Sequence, residues 1–204
     1  MKKIKSALIS VFNKDGLEPI VRLLSENGVA IYSTGGTEAY IKSLGVDVIS
    51  VEEITDYPSI LGRRVKTLHP KVFGGILNRR EVQQDQNEVK EFQIPLIDLV
   101  IVDLYPFTET WNNKNSTHED IIEKIDIGGV SLIRAAAKNY KDVAIVSNVN
   151  QYSEVYDLLS NQDCQLSESQ RMKLATFAFE NTYSYDETIS SYFFTSKIKQ
   201  KSEV

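Results

Sequence analysis

Cysteine, histidine and long apolar runs are scarce in this 204-residue sequence, and each scarcity excludes a class of protein. The single cysteine, Cys164, excludes an internal disulfide framework and a cysteine-based zinc site. Two histidines without spaced acidic partners argue against a metal centre, so we expect no metal. No stretch approaches the roughly 20 apolar residues of a membrane span, and the N-terminal apolar run is too short for a signal peptide. We therefore expect a cytoplasmic protein that does not bind membranes.

Acidic residues are missing from one stretch of an otherwise acidic chain. The sequence has 28 Asp and Glu against 23 Lys and Arg, yet residues 57–80 contain six basic side chains and no acidic one. A nucleic-acid surface is one interpretation, but the net charge of -5 and the lack of interleaved aromatic residues in "RRVKTLHPK" argue against it. The other interpretation is a site for a small anion, in which Arg64 forks onto a phosphate while Lys66 and Thr67 donate to it.

Strand and helix patterns alternate along most of the chain. Five short runs rich in Val and Ile are typical of strands buried on both faces of a parallel sheet: "SALISVF", "VAIYST", "VDVISV", "IDLVIVDLYPF" and "DVAIVS". Helical patterns lie between them, including "LEPIVRLLSENG", which ends at Gly28 as a C-cap and places on one stripe Leu17, Ile20, Leu23 and Leu24. The alternation predicts an α/β three-layer sandwich with a mostly parallel sheet.

The C-terminal part of the chain is predicted to be helical. The polar segment "REVQQDQNEVKEF" is predicted to form an exposed helix before the fourth strand. Two helical stretches follow the fifth strand, and in the second, "ESQRMKLATFAFENTYSYDETISSYFF", apolar residues share a face that must pack on the rest. That face contains Leu174, Ala178, Thr182, Tyr185 and Ile189. We expect one domain over residues 1–196 and a polar tail over residues 197–204.

A candidate anion site follows the second predicted strand. Open α/β sheets bind ligands beyond the carboxyl ends of their strands. There the segment "STGGT" places hydroxyl groups and glycines at a helix N-terminus, where free N–H groups favour a phosphate. A plain strand-to-helix turn with a threonine cap is the alternative. The candidate ligands of a phosphate and its sugar are Ser10, Lys14, Ser33, Thr34, Gly35, Gly36, Thr37, Arg64 and Thr67.

Two later stretches bring polar residues to the same edge of the sheet. "VDLYPF" ends the fourth strand with Asp103 and Tyr105, and "DIGGVSLIRAAAK" places Asp126 before two glycines and Lys138 at the end of a helical run. The two glycine amides can form a donor nest for a developing negative charge. Each residue also has a structural alternative, with Tyr105 in the core, Asp126 as an N-cap and Lys138 favoured by the helix dipole.

Seven segments, in chain order, carry a family resemblance: "ALISV", "STGGT", "RVKTLHPKV", "GGIL", "LYPF", "IDIGG" and "RAAAKN". Over about residues 4–194 the chain resembles the inosine monophosphate cyclohydrolase domain of the bifunctional purine enzyme that also carries aminoimidazole carboxamide ribotide transformylase. The resemblance implies a methylglyoxal-synthase-like fold with extra C-terminal helices, a homodimer that makes contact through those helices, and no cofactor. It also implies the dehydrative closure of 5-formamidoimidazole-4-carboxamide ribotide to inosine monophosphate. Formyl transfer, which belongs to the transformylase domain and its folate, is not expected.

The resemblance implies roles for particular residues. Lys66, Tyr105, Asp126 and Lys138 match the family's catalytic positions. Asp126 and Lys138 would relay protons at the carboxamide, while Lys66 and Tyr105 would stabilise the formyl-derived oxygen and assist its departure. Further predicted substrate contacts are Asp103, Ile127 and Gly128.

Two other functions stay open on this reading of the sequence. A methylglyoxal synthase would share the fold and the phosphate site but act on a triose phosphate, and it should lack the four catalytic side chains. A nucleotide-sensing module, such as the regulatory domain of carbamoyl phosphate synthetase, would bind a phosphate without chemistry and would need a partner. The chain departs from the resembled family at Arg63, Phe73, Asp103 and Val130, where that family often has glycine, histidine, asparagine and proline.

Overall fold

A computed structural model describes the backbone of residues 1–202 and the side chains of residues 1–62 and 64–196. It contains a two-stranded antiparallel sheet and a five-stranded sheet whose order is β4-β3-β2-β5-β6, with parallel pairing throughout the five. The strands are β1 (Lys2–Lys3), β2 (Ser6–Ser10), β3 (Ala30–Ser33), β4 (Ile49–Ser50), β5 (Leu99–Val102), β6 (Ala144–Val146) and β7 (Gln165–Leu166). The predicted α/β class with a mostly parallel sheet is confirmed.

Helices connect the parallel strands and cover the sheet. They are α1 (Leu17–Glu26), α2 (Gly35–Ser43), α3 (Val51–Thr55), α4 (Pro70–Leu77), α5 (Gln83–Glu91), α6 (Phe107–Asn112), α7 (His118–Ile122), α8 (Gly128–Lys138), α9 (Tyr152–Asn161) and α10 (Glu168–Ser202). Among the described residues, no helix is long and apolar enough to cross a membrane. The predicted exposed helix before the fourth strand is α5, none of whose residues is buried.

The strands form where the Val- and Ile-rich runs predict them, because those side chains fill both faces of the sheet. All four residues of β5 are buried, and β2 is buried over its first four. One run is shortened: "VDVISV" forms only two residues of strand, because Ser50 caps α3. Its hydroxyl accepts from the Glu52 backbone, and the Glu53 carboxylate accepts from the Ser50 N–H, which starts a helix at once.

Helix α10 packs along α8 and β6 through the predicted face. Leu174, Ala178 and Thr182 on that face are buried. Its first turn is fixed by Arg171, whose buried guanidinium donates to the carbonyls of Tyr140, Leu166 and Lys141 at 2.8, 2.6 and 2.6 Å. The predicted polar tail overlaps α10 over residues 197–202, and its last two residues lie outside the described part, so the domain boundary at 196 stays a prediction.

The direction of α8 decides which residues reach which edge of the sheet. The helix begins at Gly128 on the carboxyl edge and returns the chain to the amino edge, where β6 starts. At that far end the Asn139 side chain donates to the carbonyls of Ile76 and Asn78, at the end of α4. An 11-residue helix is about 15 Å long, so the two ends of α8 are separated by roughly that distance.

Candidate active site

Asp103, directly after β5, joins the loop after β2 to the centre of the carboxyl edge. Its two carboxylate oxygens accept from the backbone N–H groups of Phe12 and Asn13, the second at 2.8 Å. Burial raises the pKa of Asp103, against the opposing effects of these two N–H groups and the charge of Lys14. Asp103 therefore shapes the loop that carries Lys14, besides any contact with a ligand.

The "STGGT" segment, the predicted anion cradle, leads from β3 into α2, and two of its hydroxyl groups bind carbonyls of the protein. The Ser33 hydroxyl donates to the Ile9 carbonyl at 2.7 Å, and the Thr37 hydroxyl donates to the Val11 carbonyl at 2.9 Å. Ser33 thus ties the end of β3 to β2, and Thr37 ties the first turn of α2 to the residue after β2, which leaves the backbone N–H groups of that turn for an anion. Lys14 Nζ lies 4.0 Å from the point that a Cβ on Gly36 would occupy, so its charge faces the same turn. Gly35 starts the turn at a φ of 57°, which favours glycine.

Thr34 and Lys66 approach a carboxylate that the sequence did not single out, that of Glu52 in the first turn of α3. The Thr34 hydroxyl lies 3.4 Å from Glu52 Oε1, and the Ser50 hydroxyl donates to Glu52 Oε2 at 2.7 Å. Burial acts to raise the pKa of Glu52, but the hydrogen bonds from Ser50 and Thr34 and the charge of Lys66 lower it overall. Glu52 therefore links the anion cradle to Lys66.

Asp126 is held by backbone donors at the start of α8. Its Oδ1 accepts from the Gly129 N–H at 2.7 Å, and the backbone N–H of Tyr105 also acts to lower the pKa of the carboxyl. Burial raises the pKa of Asp126 despite these N–H groups and the charge of Lys66, and the charge of Asp103 raises it further. A Cβ on Gly129 would lie 2.6 Å from Asp126 Oδ2, so any side chain at this position would displace the carboxylate. The predicted glycine nest is thus occupied by Asp126 at the Gly129 amide.

Tyr105 lies between the acidic groups and an exposed aromatic ring. Its pKa is raised first by burial and then by the charges of Asp126, Asp103 and Glu123, so the phenol stays protonated. The Phe12 ring meets Tyr105 edge to face with centroids 5.8 Å apart. Lys124 Nζ lies 5.7 Å from the Phe12 centroid and 5.9 Å from that of Tyr105.

The basic stretch contributes side chains with distinct partners. Arg64 is exposed and forms an ion pair with Glu123 on the loop before Asp126. Thr67 is buried, and its hydroxyl lies 3.3 Å from the point that a Cβ on Gly128 would occupy. His69 caps α4 through Nδ1, which accepts from the Lys71 N–H at 3.2 Å, and this is the structural role of a lone histidine. Arg64 and Thr67 of this stretch therefore lie near the start of α8, whereas Arg79 and Arg80 at its end pair with Asp85 and Asp98.

Most of the predicted site residues converge on the carboxyl edge, and one does not. Asp126 interacts electrostatically with Lys66 and Asp103, and Tyr105 interacts with Asp126 and Asp103. The cradle residues follow β2 and β3; Ser10 ends β2, opposite Val102 of β5, and Ile127 stands exposed just before α8. Lys138 is exposed at the opposite end of α8, at the amino edge. Among the described residues no cluster of His, Cys, Asp and Glu could hold a metal ion.

Two adjacent regions of the chain match known protein families. Residues 16–131, more than half of its length, match the family described as MGS-like domain. The chain belongs to the MGS-like domain family. Residues 136–204, which include the last three residues of α8 and all of α9 and α10, match the family described as AICARFT/IMPCHase bienzyme. The MGS-like fold and the resemblance to the cyclohydrolase domain of the bifunctional purine enzyme are confirmed.

Individual relatives of this MGS-like chain are longer than it is. Bifunctional purine biosynthesis protein PurH from Bacteroides thetaiotaomicron is 53% identical over 192 residues, which are 94% of this chain and 38% of that protein. PurH from Rhodopirellula baltica is 46% identical over 189 residues, 93% of this chain and 36% of that protein. The chain thus spans well under half the length of these relatives. The crystal structure of ForH matches with a TM-score of 0.83 and 32% identity, covering 92% of this chain and 96% of that one.

Proposed function

We propose that the chain is an inosine monophosphate cyclohydrolase, which closes the second ring of the purine by removing water from 5-formamidoimidazole-4-carboxamide ribotide. One observation carries the proposal: Asp126, a carboxylate whose pKa burial raises, lies beside Tyr105 and within electrostatic reach of Lys66. The anion cradle of α2 lies at the same edge of the sheet. The relatives named as bifunctional purine biosynthesis proteins support a role in purine synthesis.

The main task of the enzyme in this reaction is proton transfer, because both reacting groups already belong to the substrate. The carboxamide nitrogen attacks the formyl carbon of the same molecule, which forms a C–N bond and a tetrahedral centre. Asp126 takes a proton from this nitrogen, and a raised pKa brings the carboxylate closer to the operating pH of a general base. The formyl-derived oxygen takes up two protons and leaves as water, while the former formamide nitrogen gives up its proton and forms the C=N bond.

Lys66 and Tyr105 act on the oxygen that leaves. The Lys66 ammonium and the protonated Tyr105 phenol are both donors, and they stabilise negative charge on the former formyl oxygen as the bond forms. One of them supplies the proton with which that oxygen departs. No electron is transferred and no group comes from a second molecule, so the proposed mechanism uses no cofactor.

Binding of the ribotide phosphate fixes the substrate for this step. In this proposal the N–H groups at the start of α2 and the Lys14 ammonium hold the phosphate, and Thr67 and Arg64, near the start of α8, contact the ribotide as well. Because the two reacting groups belong to one molecule, the remaining requirement is the rotamer that brings them together. Contacts at both ends of the ribotide would hold the substrate in that rotamer.

Lys138 fits the proposal only as a residue of a second copy. It lies about 15 Å along α8 from Gly128, which is beyond the reach of its side chain to Asp126 in the same chain. We propose a cytoplasmic homodimer in which Lys138 of one copy serves the site of the other. The exposed aromatic side chains of α10, among them Phe179, Tyr183 and Phe194, favour that helix as the contact surface.

The test is to incubate the purified protein with the formamido ribotide and to follow purine absorbance. We expect inosine monophosphate to form with the wild-type chain and only at a background rate with Asp126→Asn. Methylglyoxal from a triose phosphate would support the methylglyoxal synthase instead. Inosine monophosphate that raises Tm without any turnover of the ribotide would support a nucleotide-sensing module.

A further inference from the structure

Tyr185, in the middle of α10, contacts the segment that carries Asp126. Its hydroxyl donates to the Lys124 carbonyl at 2.7 Å and accepts from the Asp126 N–H at 3.0 Å. The two backbone groups belong to the turn between α7 and α8 and lie two residues apart. One side-chain oxygen from a distant helix therefore connects both ends of the short turn that precedes the proposed general base.

The position of this hydroxyl is fixed by packing. Tyr185 is half-buried, and its ring meets Phe107 of α6 edge to face with centroids 6.2 Å apart. Phe107 is itself buried and belongs to a small apolar cluster with Ile121 and Tyr192. Burial raises the pKa of Tyr185 to about 12, so the hydroxyl keeps its proton and remains a donor. A rigid ring thus presents a fixed hydrogen-bonding group to the turn.

The Asp126 carboxylate depends on the backbone that Tyr185 holds. It accepts a hydrogen bond from the Gly129 N–H, and the backbone N–H of Tyr105, on a different segment, also acts on it. Two rotatable bonds connect the carboxylate to the backbone of Asp126. A shift of that backbone therefore misaligns the carboxylate with both donors, and hydrogen bonds weaken steeply when their geometry departs from linear.

We propose that Tyr185 is a positioning residue that orients Asp126 for proton transfer. This inference rests on the proposed function for its catalytic consequence, but the hydrogen bonds that carry it do not. The division found in the family matches adds to it, because Tyr105 and Asp126 lie within residues 16–131 and Tyr185 lies within residues 136–204. The helix supplied by the second region thereby acts on a carboxylate supplied by the first.

The test compares two Tyr→Phe variants of neighbouring rings. Tyr185→Phe keeps the ring and removes the hydroxyl from the turn. Tyr192→Phe is the matched control, because its ring belongs to the same cluster while its hydroxyl contacts His118 Nδ1 at 2.5 Å, away from Asp126. We expect Tyr185→Phe to lower kcat roughly tenfold with KM for the ribotide within about twofold, as for lost alignment in the reacting state, and Tyr192→Phe to leave kcat unchanged.

A second readout needs no turnover. The groups facing the Asp126 carboxyl are Lys66, Asp103, Tyr105 and the Gly129 N–H. Since the N–H donors lower its pKa, their misalignment in Tyr185→Phe should raise the pKa of Asp126, seen by ¹³C NMR titration of its carboxyl carbon without substrate. The acid limb of the kcat profile should move to higher pH in parallel. An Asp126 titration that matches Tyr192→Phe overturns the inference. A wild-type chain that binds but does not convert the ribotide overturns the proposed function and leaves this titration to decide the inference by itself.

Discussion

The two edges of the central sheet hold their charged groups in different ways. At the amino edge, acidic side chains are paired with basic ones: Asp142 with Lys2 at 2.6 Å and Asp98 with Arg80 at 3.4 Å. At the carboxyl edge, Asp103 and Asp126 are held mainly by backbone N–H groups. The first arrangement forms ion pairs within the protein. The second orients acidic groups beside Lys66 at the predicted ligand site.

The comparison shows that burial alone does not mark a functional acid. Asp98 and Asp142 are 5% and 7% exposed, more buried than either acid of the carboxyl edge. Each also accepts from a backbone N–H group, that of Lys5 or Arg80, so backbone donors orient carboxylates at both edges. What distinguishes the carboxyl edge is that its acids lie beside the protonated phenol of Tyr105, a group that can take part in proton transfer.

The largest expected effect comes from comparing one acidic residue of each edge, with the matched variants Asp126→Asn and Asp142→Asn. We expect Asp126→Asn to lower turnover of the ribotide by about 10²–10⁴-fold, the usual contribution of a general base. Asp142→Asn should keep its turnover per folded molecule and lose about 1–3 kcal/mol of unfolding free energy, because the Lys2 ammonium and the Arg80 N–H lose an ionised acceptor. Ribotide kinetics and urea denaturation measure both.

The pH dependence of stability gives a second prediction for Asp126→Asn. Burial raises the pKa of Asp126 in the folded state, so its protonated form stabilises the fold at low pH and that contribution is lost as pH rises through the folded pKa. Asp126→Asn removes this loss and should be at least as stable as the wild type at pH 7. A variant that is inactive because it is unfolded would contradict the assignment of Asp126 as a base.

The next prediction concerns Lys138, which the structure puts at the other edge from its proposed partners. If it acts from a second copy, Lys138→Ala and Asp126→Asn chains should each be nearly inactive. Mixed after unfolding and refolding together, they should regain about a quarter of wild-type activity, because half of the dimers are mixed and each has one intact site. Full activity of Lys138→Ala alone would instead remove Lys138 from the reaction.

Much of the fold was predictable, because parallel strands buried on both faces require continuous Val and Ile. The candidate site was predictable where a local motif indicates a binding chemistry, as the glycines of "STGGT" at a helix N-terminus indicate an anion site. Partners across strands were not: the Ser33 and Thr37 hydroxyls bind Ile9 and Val11, which only the sheet brings near. Tyr185 and Asp126 are 59 residues apart, and no local pattern connects them. The separation of Lys138 from Asp126, however, follows from helix rise alone.

A smaller effect is expected from Asp103→Asn, which gives the chain the residue that the family often has. The negative charge of Asp103 raises the pKa of Asp126, so its removal should lower that pKa. The acid limb of the kcat profile should therefore move to lower pH, opposite to the shift expected for Tyr185→Phe. Steady-state kinetics across pH measure it, and an upward shift would mean that the loop holding Phe12 and Asn13 controls Asp126 instead.

The smallest expected effect concerns the ion pair between Arg64 and Glu123, which joins the basic stretch to the loop before Asp126. Both side chains are exposed, so the pair contributes little to stability, and Glu123→Gln should leave Tm nearly unchanged. If Arg64 binds the ribotide phosphate, Glu123 competes with that phosphate. Glu123→Gln should then strengthen ribotide binding about two- to fivefold, less at high salt. Calorimetry at two salt concentrations measures this, with Arg64→Ala as the control that abolishes the gain. Tighter binding in the double variant would assign the effect of Glu123 to another cation, of which Lys124 is the neighbour in sequence.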